Sequence, residues 1–217
     1  MQALTEYKVK DINDIVFGSE EAKQRIDEII DGRKTFPQFG KNGIIVFGIW
    51  GTGKTTLAKL LPTAIEKILS GEALEDEQFI QCKQGMNGVD LMRMIDNQAS
   101  LISANHSSKH YFILDEIDNL TVAAQASLKA AMNLSSSIFI MTTNHVELID
   151  KGVLNRSILI EMNAASTQQW LPIVKRVLGI KPTDHHLDVE LTEMISASKG
   201  SVRDIMDGVA TISARLK

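Results

Sequence analysis

Apolar and polar positions alternate along this chain between short solid runs and helical spacing. Polar residues 1–14 lead into Ile15-Val16-Phe17. Ala22, Ile26, Ile29 and Ile30 recur near helical spacing, which predicts an amphipathic helix over 20–31, stopped by Gly32. A loop with Pro37 and Gly40 follows over 33–42. Gly43-Ile44-Ile45-Val46-Phe47 is a short apolar run before a glycine-rich turn and reads as a buried strand. A helix should begin at Lys54, with Pro62 predicting a kink or break inside it. Residues 78–81 form a weak strand and 89–102 have helical spacing. Tyr111-Phe112-Ile113-Leu114 is a second buried strand, closed by Asp115-Glu116. An alanine-rich helix over 121–133 and a third buried strand, Ile138-Phe139-Ile140-Met141, complete the pattern. Strands alternating with helices imply an α/β fold, a doubly wound parallel sheet with helices on both faces. Strand signals stop after about Met162, and helices are predicted over 166–178, 187–198 and 201–215. The expected organisation is an α/β base over 1–162 and a small all-helical domain over 163–217.

Composition narrows the possibilities. The 217 residues carry 23 basic and 27 acidic side chains, a formal net charge of −4. A globally basic, histone-like binder is excluded, so any nucleic acid must be held by a local patch or by helix N-termini. Apolar residues at 44% suffice for a packed core. Cys82 is the single cysteine, which excludes a disulfide framework and a cysteine-rich zinc site and suits a reducing cytoplasm. No apolar run reaches the ~18 residues of a membrane span. The first residues lack the layout of a signal peptide.

The chemistry begins after the first buried strand. Gly48-Ile49-Trp50-Gly51-Thr52-Gly53-Lys54-Thr55 fits G-x-x-x-x-G-K-[ST]. Glycines let backbone N–H groups turn inward around phosphate oxygens, and the following helix adds the positive end of its dipole. Lys54 supplies a cation for the β- and γ-phosphates, and Thr55 offers a hydroxyl to Mg2+. The expected phosphate-contacting set is Gly48, Gly51, Thr52, Gly53, Lys54, Thr55 and Thr56. Asp115 and Glu116, ending a strand, fall at the carboxyl edge of the sheet beside this loop. Asp115 is read as holding Mg2+ through water and Glu116 as polarising the attacking water. Asp118 is read as the cap of the next helix.

With these two motifs the chain resembles an AAA+ ATPase, in particular the clamp-loader group of replication factor C small subunits and phage equivalents. The likeness runs from Tyr7 to about Arg203. Tyr7-Lys8-Val9-Lys10 and Asp14-Ile15-Val16-Phe17-Gly18 are similar to segments that border the adenine, which implies Val16 and Phe17 as nucleotide neighbours. The family's Arg-Pro pair is missing from the first of these. Gly88-Val89-Asp90 with Arg93 resembles a helix that approaches the DNA backbone. Gln125-Ala126-Ser127-Leu128 matches the helix after the acidic motif. Thr142-Thr143-Asn144 looks like sensor 1, with the Asn144 amide reaching the γ-phosphate or the water. Arg156, in Leu154-Asn155-Arg156-Ser157, falls where the family has its arginine finger, which acts on ATP held by the neighbouring subunit. Gly200-Ser201-Val202-Arg203 resembles sensor 2, implying that Arg203 contacts the γ-phosphate in cis. Trp50 stands where proline is common and is expected to be wedged against a neighbouring element. The family's C-terminal helical collar has no counterpart in residues 1–217, so a phage-like or mobile-element version, or a subunit that relies on partners for assembly, is expected.

The resemblance implies ATP and Mg2+ as cofactors, an oligomer of like or unlike subunits, and primer–template DNA with a sliding clamp or other ring as partners, with no membrane. A helicase loader or transposition-regulating ATPase remains an alternative, as does an ATP-binding scaffold that does not turn over. The intact Asp115-Glu116 pair speaks against the scaffold. Lys8, Lys10, Arg33, Lys34, Lys41, Lys83, Arg93 and Lys109 are candidates for a DNA-facing patch, weighed equally against scattered surface charge. Met86, Met92 and Met94 offer an adaptable contact face, although helical spacing forces at least one of Met92 and Met94 toward the core. The histidines, among them His106, His110, His185 and His186, read as solvated, and Cys82 as an inert thiol.

Overall fold

The apolar runs form the middle of a five-stranded parallel sheet in a computed structural model that describes residues 9–84 and 88–216. Tyr7, Lys8 and Met86 lie outside the described residues. The strands are β1 (Gly43–Phe47), β2 (Gln78–Gln81), β3 (His110–Asp115), β4 (Ser137–Thr143) and β5 (Ser157–Glu161), in the order β2-β3-β4-β1-β5. Every pairing is parallel. β3 and β4 are buried along their whole length. Successive side chains alternate between the faces, as a pleated strand requires. Ile44, Val46, Tyr111, Ile113, Ile138 and Ile140 point to one apolar cluster. Ile45, Phe112, Leu114, Phe139 and Met141 point to the other. Phe112 and Phe139 stack across β3 and β4 with centroids 5.4 Å apart.

Helices cover both faces. α1 (Glu20–Ile30), capped by Ser19, and α2 (Lys54–Ser70) fill the first cluster through Ala22, Ile26, Ile29, Leu57, Ala58, Leu61 and Ile65. α3 (Gly88–Ala99), α4 (Val122–Ala131) and the short α5 (Lys151–Asn155) fill the second through Leu91, Ile95, Ala124, Leu128 and Val153. The chain ends in α6 (Thr167–Leu178), α7 (Asp188–Ala197) and α8 (Val202–Arg215), which enclose a third cluster around Trp170, Val174, Leu191, Ile205 and Val209. No helix among the described residues is long and apolar enough to cross a membrane.

Several sequence expectations need correction. α2 runs unbroken through Pro62. Pro62 forfeits one helical hydrogen bond, but Leu57, Leu61 and Ile65 are anchored in the core around it, and that burial holds the helix together. β5 and α5 were not anticipated. β5 is only five residues long and carries Ile158-Leu159-Ile160 between Ser157 and Glu161. Asp118 does not cap α4; Thr121 does, accepting from the Ala124 N–H. His110 is buried as the first residue of β3 and is not solvated. Trp50 is 72% exposed and therefore not wedged against anything.

One carboxylate locks α2 to the segment entering β3. Glu66 is fully buried and accepts from the Ser107 N–H at 2.8 Å, Ser70 Oγ at 2.8 Å, Tyr111 Oη at 2.9 Å, and closely from Ser107 Oγ. Burial pushes its pKa up, but the bonds from Ser107, Ser70 and Tyr111 outweigh this and hold it below its ordinary 4.5. Glu66→Gln, which sets an amide donor against these hydroxyls, should cost about 1–3 kcal/mol in urea unfolding at neutral pH. A depressed folded pKa means the contribution is complete above the ordinary value and is lost as pH falls through the folded one. The stability gap between wild type and variant should therefore narrow below pH 4.5.

Candidate nucleotide site

The loop between β1 and α2 is built by glycine geometry. Gly48 has φ +134°, and a Cβ there would lie 2.6 Å from the Met162 carbonyl oxygen. Gly53 caps α2 at φ +93° with open space around it, so its requirement is conformational. The first N–H groups of α2 thus open onto the loop. Thr52 is buried and donates from Oγ1 to the Ile49 carbonyl at 3.0 Å. Lys54 is 8% exposed, and its Nζ donates to the carbonyls of Gly48 at 3.0 Å and Ile49 at 2.6 Å. Burial lowers its pKa, against the opposing pull of Asp118, Asp115 and Glu116.

Strand order brings the acids to this loop. β4 lies between β3 and β1, so the carboxyl ends of all three meet. Asp115 Oδ1 accepts from Thr55 Oγ1 at 2.8 Å and from Thr142 Oγ1 at 2.7 Å. Thr142 Oγ1 in turn accepts from the Glu116 N–H at 2.9 Å. Glu116 is left-handed at φ 60°, and its Oε2 accepts from Asn119 Nδ2 at 3.3 Å. Asp118 accepts from Thr143 Oγ1 at 2.8 Å. Asn144 follows directly, half-buried. The Thr55 hydroxyl and the Asp115 carboxylate form a neighbouring pair of hard oxygen donors. Such a pair suits Mg2+, which takes its remaining ligands from water and phosphate. Among the described residues no group of three His, Cys, Asp or Glu side chains is placed to hold a metal, so the chain builds no closed metal cage.

The C-terminal helices close over the loop. The Val202 N–H donates to the Gly51 carbonyl at 2.8 Å, and Ser201 caps α8. Arg203, exposed in the first turn of α8, is close enough to contribute to lowering the Lys54 pKa. Val16, Thr52, Thr56, Trp170 and Val202 line a cavity of about 30 Å3 beside the loop. Phe17 is not in that lining: its side chain is buried in the core beneath α1 and α2, and its carbonyl accepts from Gln169 Nε2 at 2.9 Å.

Three expected site residues lie apart. Arg156 ends α5, where Nη1 donates to the Gly152 carbonyl at 3.1 Å and Nη2 to Asn133 Oδ1 at 3.2 Å. The next residue, Ser157, registers with Gly43 at the amino end of β1, whereas the phosphate loop leaves the carboxyl end. A five-residue strand, ~16 Å long, separates the two. Gly88 is buried at the start of α3, and a Cβ there would lie 2.4 Å from Ser127 Oγ and 3.0 Å from the Ala123 carbonyl. Close packing of α3 on α4 is reason enough for that glycine. Arg93 is exposed on α3. The basic candidates form no single patch: Lys41 and Lys109 gather with Arg156 around one cavity at the amino edge, whereas Arg33 pairs with Asp31. Cys82 is buried, and burial together with the nearby Asp115, Asp118 and Glu116 charges pushes its thiol up to about 12, an inert state.

Residues 44–163 match the family described as "ATPase family associated with various cellular activities (AAA)". The chain belongs to the AAA ATPase family. It is thus an ATP-hydrolysing P-loop enzyme, with the base and helical lid that its sequence led us to expect. It is 28% identical to the replication factor C small subunit of Thermoplasma volcanium over 91% of this chain and 59% of that protein. It is 26% identical to the Lon protease of Karelsulcia muelleri over 90% of this chain and 27% of that protein. A solved DNA polymerase III gamma subunit-related protein from Thermotoga maritima shares the fold, with TM-score 0.53 and 11% identity over 86% of this chain and 57% of that one. The chain thus spans about three-fifths of the replication factor C relative and about a quarter of the protease.

Sequence reasoning gave roles to Asp115 and Asn144 but none to Thr142 or Trp170. The hydroxyl beside Asn144 was the available signal for Thr142. Thr142→Val removes the donor that orients Asp115; with Asp115 as the proposed Mg2+ ligand, the Mg2+ needed for half-maximal ATPase should rise by about 10–100-fold. Thr142→Ser, which keeps the hydroxyl, should stay near wild type in the same titration.

Proposed function

We propose that this ATPase is Mg2+-dependent and works in DNA replication as a clamp-loader-like motor, placing a ring-shaped partner on primed DNA as part of an oligomer. The observation that carries the reading is a division of parts. Lys54, Thr55, Asp115 and Glu116 gather at the carboxyl edge of the sheet, while Arg156 sits at the amino edge. The likeness to a replication factor C small subunit over 91% of the chain supports the choice of process. The chain divides at 162/163 into base and lid.

In this reading the Lys54 ammonium leaves the Gly48 and Ile49 carbonyls for the β- and γ-phosphate oxygens, which are better acceptors. Thr55 and Asp115 hold Mg2+, whose charge neutralises the phosphates. Glu116 accepts a proton from the attacking water. Asn144 positions that water or the γ-phosphate, and Arg203 joins the γ-phosphate to α8. Arg156 of another subunit completes the charge stabilisation, worth about 10³–10⁵ in rate. Val16, Thr52, Thr56 and Trp170 border the base. A cavity of 30 Å3 is far below the ~300 Å3 of ordinary ligand pockets. The Val202–Gly51 backbone bond ties α8 to the phosphate loop, which couples lid angle to nucleotide state. Arg93, exposed on α3, faces DNA in the assembly.

The similarity to Lon protease, at nearly the same identity, favours a second reading, a motor acting on a protein substrate. Primer–template DNA should raise the ATPase rate, whereas an unfolded protein such as casein should not; the reverse pattern would favour the second reading. Glu116→Gln should bind nucleotide as wild type does and lose about 10²–10⁴ in turnover. An unchanged rate in that variant would remove Glu116 from the mechanism.

A further inference from the structure

Phe39 is a conspicuous misfit with local sequence rules. Gln38 and Lys41 pair as a two-residue hairpin, with reciprocal backbone bonds of 3.1 and 3.0 Å. Phe39 at φ 53° and Gly40 at φ 73° form its corner. Both signs match a type I′ turn, whose first central position favours Asn, Asp or Gly. A phenylalanine there is strained, and its ring is 91% exposed. Folding of the chain alone gives no reason for it. Strained positions that persist tend to serve a contact.

The neighbours of Phe39 indicate the contact. Its turn lines a cavity of about 630 Å3 with Lys41, Lys109, Met132, Asn133 and Arg156, and no carboxylate is among the lining residues. The far edge of the sheet carries the opposite pattern. Asp115, Glu116 and Asp118 cluster there, and Ile49 and Trp50 stand out on the phosphate loop at 48% and 72% exposure. Phe39 and Trp50 are the two most exposed aromatic side chains among the described residues. If Arg156 reaches nucleotide in another subunit, the amino edge of one copy must face the carboxyl edge of the next. That is a head-to-tail contact, and it joins cationic to anionic ends.

We infer that the Phe39 turn is the apolar anchor of this contact and seats on Ile49 and Trp50 of a second copy of this chain. The inference rests on the trans placement of Arg156 proposed above and adds the residues that hold it there. Aromatic anchors beside desolvated charges are the usual makeup of such contacts.

The test separates the two claims. Phe39→Gly suits the turn better, so it should unfold at the same or a higher temperature than wild type. The protein concentration giving half-maximal ATPase per subunit should nevertheless rise at least ten-fold, with the wild-type rate recovered at high concentration. Arg156→Ala should lose rate at every concentration. Mixing Phe39→Cys with Trp50→Cys protein and oxidising with ATP and Mg2+ present should give a cross-linked dimer that neither variant gives alone; Cys82, being buried, stays silent. Wild-type concentration dependence in Phe39→Gly, or no cross-link in the mixture, overturns the inference. If Arg156→Ala loses rate as expected while either of those results appears, the trans reading stands and only the Phe39 anchor fails.

Discussion

The Asp115 carboxylate ties the site together. Its Oδ1 takes one hydroxyl from α2 and one from β4 while it ends β3 itself. Three elements far apart in sequence therefore meet at one oxygen. A buried carboxylate without donors is costly, so the bonds from Thr55 and Thr142 are a condition of placing Asp115 there at all. Everything nearby inherits this geometry. The phosphate loop is fixed through Thr55, the Glu116 backbone through Thr142, and Asn144 through its place directly after the strand that carries Thr142. Glu66 does comparable work at the other end of α2, so the helix that bears Lys54 is held at both ends.

Much of this was legible along the chain, for particular reasons. β1, β3 and β4 are central strands, and central strands read as solid apolar runs because both faces are buried. The phosphate loop is a contiguous motif whose glycines are dictated by backbone geometry, so it needs no tertiary knowledge. β5 escaped because it is a five-residue edge strand whose last residue, Glu161, is exposed. Pro62 misled because propensity describes an isolated helix, whereas α2 is pinned by Leu57, Leu61 and Ile65. Trp170 could not be read as a neighbour of the phosphate loop, since it lies more than 100 positions from it and only the lid packing brings it to the cavity beside that loop. Thr121 rather than Asp118 caps α4 because Thr143, a residue of another strand, takes up Asp118.

The arrangement also links chemistry to motion. Lys54 rests on loop carbonyls that phosphate oxygens outcompete, and α8 touches the same loop through Val202. Filling the loop with a triphosphate moves charge at the point where the lid is attached. On the proposed mechanism, Arg203 in the first turn of α8 then has an anion to meet, and the lid takes a different angle with and without the γ-phosphate. The amino edge, carrying Arg156, is rigidly connected to the same sheet through β5. In the proposed oligomer, a change at one nucleotide would thereby be relayed to the next subunit.

The central claim is that one active site needs two chains. On the proposed mechanism, Lys54→Ala cannot hold the triphosphate but keeps Arg156, and Arg156→Ala holds it but lacks the trans cation. Each variant should be inactive alone, and their mixture should recover a substantial part of the wild-type ATPase rate, because mixed neighbours rebuild complete sites. A mixture as inactive as its components, or an Arg156→Ala protein with wild-type turnover by itself, would contradict the account.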